Sequence, residues 1–96
     1  MKGIVLLTAI LAAAPALAAE PVVYRCAMGS AERLVTVEYP EGTTLPCEVH
    51  YTKAEGSQIL WTAQNSEGYC EQRAESFVEK QRGWGWKCDL SAAKPE

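Results

Sequence analysis

The sequence predicts a small α+β domain, an antiparallel β-meander of four to five strands with one amphipathic helix packed on it and two disulfides. Three observations favour this fold. Short segments alternate between apolar and polar residues, the hydrophobic period then becomes helical near residue 70, and a chain of only 96 residues contains four cysteines. A chain of this length has room for one domain.

Turn residues separate four segments that have the alternating pattern of half-buried strands. Met28-Gly29-Ser30 and Pro40-Glu41-Gly42 each provide turn chemistry, and a short hairpin loop is expected around residues 53–57. On the fourth segment Ile59, Trp61 and Ala63 are predicted to share one face. The predicted strands are 21–27, 34–39, 45–52 and 58–64.

The period changes after residues 65–68, where Asn65 or Ser66 is expected to cap a helix. The spacing i, i+4, i+7, i+8, i+11 predicts an amphipathic helix over 69–82, with its inner face formed by Cys70, Ala74, Phe77, Val78 and Gln81. Gly83 is expected to end this helix. Alternation returns over 84–90 and predicts a last strand with Trp84 and Trp86 on one face.

Residues 1–18 have the pattern of an export signal. Lys2 precedes an apolar run over 4–14, and small residues at the Ala-x-Ala positions predict cleavage after Ala18. The expected product is one domain over 19–96 with a frayed tail from about residue 91. Such a protein would be periplasmic or secreted, with no membrane insertion after cleavage.

Charge and composition disfavour several classes of function. The chain has 9 Lys and Arg against 12 Asp and Glu, and loss of Lys2 with the signal leaves 8 − 12 = −4. An acidic domain of this size is unsuited to nucleic acid or to a large cofactor, so neither is expected. His50 is the one histidine and no two cysteines lie within four residues, so no metal site is predicted.

All four cysteines follow the expected signal, as in exported domains stabilised by disulfides. Three connectivities are open. The predicted faces favour Cys47 with Cys70, joining the sheet to the helix, and Cys26 with Cys88, joining the first strand to the last. The alternative joins Cys26 to Cys47 and Cys70 to Cys88.

The segment 81–87 is the candidate partner-binding site because its tryptophans are flanked by cations and glycines. The residues assigned to it are Arg82, Trp84, Trp86 and Lys87. The alternative interpretation is that Trp84 and Trp86 close the core over the helix, as Trp61 is expected to do.

A catalytic alternative is a small secreted ribonuclease centred on His50, with Glu48 beside it and an arginine such as Arg25 or Arg73 nearby. The predicted helix also has a ridge of like charge, interpreted as a solvated face or as an acidic docking surface for a basic partner. The ridge consists of Glu71, Glu75 and Glu79.

The segments Tyr24-Arg25-Cys26, 35–39 and Cys88-Asp89-Leu90 resemble the frame of bacterial periplasmic inhibitors of C-type lysozyme. In that family an early and a late cysteine clamp a small antiparallel barrel. The leading hypothesis is therefore a monomeric exported module that binds a protein partner in the cell envelope, such as a cell-wall hydrolase. An accessory subunit of an envelope assembly is a further hypothesis, and the leading hypothesis assigns no catalytic residues.

Overall fold

The computed structural model describes residues 18–91, so all but the last residue of the predicted signal, and the tail beyond Ser91, lie outside the described residues. The elements confirm the α+β prediction: five strands form one antiparallel sheet and one helix packs on it. They are β1 (Val22–Met28), β2 (Ala31–Glu38), β3 (Cys47–Lys53), β4 (Gly56–Ala63), α1 (Tyr69–Gly83) and β5 (Lys87–Leu90).

The strand order is β4-β3-β2-β1-β5, so the first four strands form the predicted meander and β4 and β5 are the two edges. Helix α1 crosses the sheet and returns the chain to β1, where Cys26 pairs with Cys88. The hairpin turns at Gly29-Ser30 and Ala54-Glu55 and the C-terminus of α1 meet at one end of the sheet, called here the turn end. The loops 39–46 and 64–68 form the opposite end, called the loop end.

The core lies between one face of the sheet and the inner face of α1. Alternate residues of the central strands point into it, because one face of each strand is covered by the helix. The fully buried apolar side chains are Cys26, Val35, Val37, Cys47, Val49, Cys70, Ala74 and Val78. Trp61, Tyr69 and Phe77 are partly buried and pack against them at the margin of the core. The aromatic rings of Tyr51 and Phe77 meet edge to face, with centroids 4.8 Å apart.

Two disulfides fix the helix and the edge strand to this core. Cys26 bonds to Cys88 between β1 and β5, and Cys47 bonds to Cys70 between β3 and α1. This is the pairing that the strand and helix faces favoured. The sheet is open, whereas the resemblance to the inhibitor family implied a closed barrel.

The prediction that Ile59, Trp61 and Ala63 share a face is wrong for Ile59. Val49 pairs with Trp61 while His50 pairs with Ile59, so Leu60 is an extra residue in β4. Such a bulge reverses the alternation, and Ile59 is 50 % exposed on the face that α1 does not cover.

The ends of the helix also differ from the prediction. The N-cap residue is Gly68 in a left-handed conformation with φ 81°, and no side chain caps the helix, so neither Asn65 nor Ser66 has that role. Among residues 18–91 no helix is both long enough and apolar enough to span a bilayer.

Candidate functional site

The chain between α1 and β5 forms a tight turn that places the two tryptophans in different environments. The Gly85 N–H donates to the Arg82 carbonyl and the Trp86 N–H to the Gln81 carbonyl, both at 3.0 Å. This is the Schellman pattern, with Gly85 at φ +100° after the C-cap residue Trp84. Gly83 is helical, so the helix extends one residue beyond its predicted end at residue 82, and the glycine that follows it is Gly85. Trp84 and Trp86 therefore do not share a strand face.

Trp84 lies on the surface of the turn end, where its side chain is 61 % exposed. Its backbone is nonetheless fixed, because its N–H donates to the carbonyls of Lys80 and Gln81. Met28 is 40 % exposed, and its Cε lies 3.6 Å from the position that a Cβ on Gly85 would occupy. Trp84 and Met28 therefore give the turn end two large apolar side chains in contact with water.

Trp86, in contrast, is 8 % exposed and belongs to the core. The Arg33 guanidinium covers its ring, with Cζ 4.3 Å from the ring centroid. Arg33 Nη1 donates to the Tyr51 hydroxyl at 2.7 Å, and Nε2 of the buried Gln81 donates to the same oxygen at 3.2 Å. The stack thus joins β2, β3 and the end of α1.

Arg82 and Lys87, the other two predicted site residues, have different surroundings. Arg82 is ion-paired with Glu79, and its Nη2 donates to the Cys88 carbonyl at 2.9 Å, so it ties α1 to β5. Lys87 is exposed at the start of β5 opposite Ala27. Among the described residues no carboxylate lies within ion-pair distance of Lys87.

Charge is segregated along the molecule. No Lys or Arg occurs over 38–48 or 62–72, the segments around the loop end, and these two segments contain five glutamates. The cations near the turn end are Arg33, Lys53, Lys80, Arg82 and Lys87. The turn end that carries the exposed Trp84 thus has five Lys and Arg residues against the carboxylates of Glu32, Glu55 and Glu79, although the domain as a whole is acidic.

A shallow cavity of about 430 Å³ runs beside α1, lined by Tyr24, Glu75, Ser76, Glu79 and Arg82. Burial and the nearby Glu75 carboxylate raise the pKa of Tyr24, against an opposing effect of Arg82. Burial raises the pKa of Tyr39 still further, with help from the hydrogen bond that its hydroxyl donates to Glu71 at 2.5 Å. Glu71 and Glu79 are therefore paired within the domain, which reduces the free acidic ridge to Glu75.

His50 lies on the open face of the sheet, with Nε2 2.8 Å from Glu48 Oε1. Arg25 is ion-paired with Glu32, and Arg73 packs over Trp61 and Tyr69 on the helix side. The structure therefore brings together His50 and Glu48 of the catalytic alternative, while Arg25 is paired with Glu32 and Arg73 lies on the other side of the sheet.

Sequence reasoning missed Arg33, Tyr51 and Met28 at the turn end. They lie on different strands, and Arg33 and Tyr51 are 18 residues apart. Tyr51 lies within the predicted strand 45–52, but the alternation of that strand could not show which cation would lie over Trp86.

Comparison with family models finds no match, and comparisons with curated proteins and with solved structures find none either. The fold and the site define the class on their own: a small disulfide-stabilised α+β domain with a rigid, cationic, tryptophan-bearing turn end. In particular, it is a chain in which one tryptophan of a Gly-Trp-Gly-Trp segment is core and the other is surface.

Proposed function

We propose that the protein is an exported binding module, in the periplasm or the medium, that contacts a protein partner through its turn end. The observation that carries the proposal is Trp84, a 61 % exposed indole on a backbone fixed by hydrogen bonds. Tryptophan is enriched among residues that dominate binding energy, and a rigid backbone reduces the entropy lost on binding.

The residues near Trp84 support a role for the turn end in contact with a protein partner. Met28 extends the apolar area, and Lys87 adds a cation on the same end. Protein interfaces combine an apolar centre with a polar rim in this way.

Inhibition of a cell-wall hydrolase such as C-type lysozyme is the specific activity we propose to test. The net charge of −4 for residues 19–96 supports it, because opposite charge accelerates encounter with a basic enzyme. Trp84 would supply contact energy after encounter.

The test compares the oxidised protein with the Trp84→Ala variant as bait for envelope extract and for C-type lysozyme. Trp84→Ala removes an exposed ring and should leave the thermal melt almost unchanged. We expect a single retained partner and at least tenfold weaker retention by the variant, the effect of losing about 1.4 kcal/mol or more at an interface hot spot.

Ile59→Ala is the matched control, since Ile59 is 50 % exposed on the opposite face of the sheet. It should retain the partner as the wild type does. Equal retention by wild type and Trp84→Ala, or equal loss in Ile59→Ala, would show that the turn end is not the binding surface.

A further inference from the structure

Arg33 is a half-buried cation that no carboxylate of the described residues neutralises. The ion pairs among residues 18–91 join Arg25 to Glu32 and Arg82 to Glu79, Glu48 contacts His50, and none of these carboxylates contacts Arg33. Burial of an uncompensated charge is costly, so a structure that keeps one in a fixed position invites a functional explanation. Trp86 and Tyr51 fix the guanidinium here.

A cavity of about 470 Å³ lies beside this guanidinium at the turn end. Lys53 also lines it, with Nζ 5.6 Å from the centroid of the Tyr51 ring, and Lys53 has no ion-pair partner among the described residues. Two carboxylates line the same cavity: Glu32 is paired with Arg25, and Glu55 belongs to the hairpin turn. When Arg25, the partner of Glu32, is counted with the lining residues, the cavity has three cations and two carboxylates beside it, which is one net positive charge.

We propose that Arg33 and Lys53 form a recognition site for a single carboxylate of the protein partner. The proposal rests on the binding function above and names the chemistry of the partner at this point. A guanidinium presents donors in a planar fork that matches the two oxygens of a carboxylate. Tyr51 accepts only one of its five N–H donors, so the fork remains available.

The charge of the site favours a carboxylate over a phosphate. One net positive charge in the cavity matches one negative charge, and the acidic domain around it repels a dianion. The stack on Trp86 holds Arg33 in place before binding, so little side-chain entropy is lost when the carboxylate arrives. Trp84 and the carboxylate site both lie at the turn end, so one partner surface would engage both.

The experiment titrates ¹⁵N-labelled oxidised protein with the capped tripeptide Ala-Asp-Ala and follows the Arg33 Nε–H and Trp86 indole N–H resonances. The probes for comparison are capped Ala-Asn-Ala and inorganic phosphate at equal ionic strength. We expect saturable shifts with the aspartate peptide, none with the asparagine peptide and weaker binding of phosphate. Arg33→Gln should lower the affinity for the aspartate peptide about tenfold or more, because a hydrogen bond to a charged group is lost.

Three further variants separate a specific site from general charge. Arg73→Gln is the matched control, because Arg73 is also stacked on aromatic rings, 5.2 Å from the Trp61 centroid, and is also without an ion pair among residues 18–91. It should bind the peptide as the wild type does. Lys53→Gln should weaken binding without disturbing the Arg33 stack, and Glu55→Gln should strengthen it.

The proposal fails if no saturable shift occurs, if phosphate binds more tightly than the aspartate peptide, or if Arg73→Gln weakens binding as much as Arg33→Gln. If Arg33→Gln lowers the melting temperature, its weaker binding could reflect lost stability. Lys53→Gln then provides the test, because it should weaken peptide binding while leaving the Arg33 stack in place. The peptide titration does not require the natural partner. If the protein binds the peptide but retains no partner in the Trp84 experiment, the carboxylate site is supported and the binding function is contradicted. If it retains a partner but does not bind the peptide, only the carboxylate site is contradicted.

Discussion

Trp84 and Trp86 have the same side chain and lie two residues apart, yet one is solvent-exposed and the other is core. The backbone at Gly85, with φ +100°, reverses the chain between them. Trp86 then turns inward under Arg33, while Trp84 remains outside as the C-cap of α1. At the scale of single residues the candidate site is thus made by a conformation that glycine adopts without a steric penalty.

Tyr39 gives a prediction at the same scale. Burial, and the hydrogen bond to Glu71, raise its pKa in the folded state above the ordinary value of 10.0. The neutral hydroxyl is therefore favoured by folding, and its contribution to stability is complete below pH 10 and declines as the pH rises beyond it. We expect the free energy of unfolding to fall more steeply above pH 10 in the wild type than in Tyr39→Phe, measured by urea denaturation at successive pH values.

Tyr24→Phe is the comparison for this experiment. The pKa of Tyr24 is raised by the same kinds of cause, but Arg82 opposes them, so Tyr24→Phe should flatten the pH dependence less than Tyr39→Phe does. Parallel curves for wild type and Tyr39→Phe would mean that Tyr39 titrates alike in the folded and unfolded states.

At the scale of elements, the strands were predictable because each has one covered and one open face. Apolar and polar residues therefore alternate along the sequence of each strand. The bulge at Leu60 was not predictable, since Ile59, Leu60 and Trp61 are a continuous apolar run that fits either register. The helix end was ambiguous for a related reason. Gly83 and Gly85 are each followed by tryptophan, and only the packing of Trp86 under Arg33 distinguishes them.

The two glycines give opposite predictions for the same substitution. Gly85→Ala places a Cβ on a residue with φ +100° and should destabilise the protein by about 1–2 kcal/mol. Gly83→Ala lies in the helix with no atom within 4 Å of the new Cβ, and it should stabilise by about 0.5–1 kcal/mol. Chemical denaturation measures both, and a stabilising Gly85→Ala would show that the helix does not end there.

The candidate site was predictable only in part, for reasons that also belong to this scale. The segment containing Trp84 is unusual in composition and can be recognised in the sequence alone. The carboxylate site depends on the register of β1, β2 and β3, which aligns Cys26 with Arg33 and Val35 with Tyr51. Register is set by the whole sheet, so no local pattern around Arg33 or Lys53 marks them as neighbours.

At the scale of the whole molecule, the two ends of the sheet differ in charge and in exposed apolar side chains. The loop end is rich in glutamate, and the turn end combines cations with exposed apolar side chains. On the proposed function, a basic partner would be attracted by the overall charge, and contact at the turn end would require a carboxylate and an apolar group on that partner. These two conditions together restrict the partner more than either does alone.

We expect so small a domain to need both disulfides for its stability. Cys26–Cys88 spans 62 residues and Cys47–Cys70 spans 23. In the chain-entropy model these loops contribute about 4 and about 3 kcal/mol, a sum comparable to the whole stability of a typical domain. The open sheet has one covered face, so its apolar burial alone has little reserve.

Double cysteine variants test whether the disulfides stabilise the domain in this way and which of the two contributes more. Cys26→Ala with Cys88→Ala should lower the free energy of unfolding by about 4 kcal/mol, and Cys47→Ala with Cys70→Ala by about 3 kcal/mol, because the longer loop restricts the unfolded chain more. Reduction of both bonds should unfold the wild type, as seen by loss of near-ultraviolet circular dichroism. A reduced protein that melts at the same temperature as the oxidised one would show instead that packing of α1 on the sheet suffices for stability.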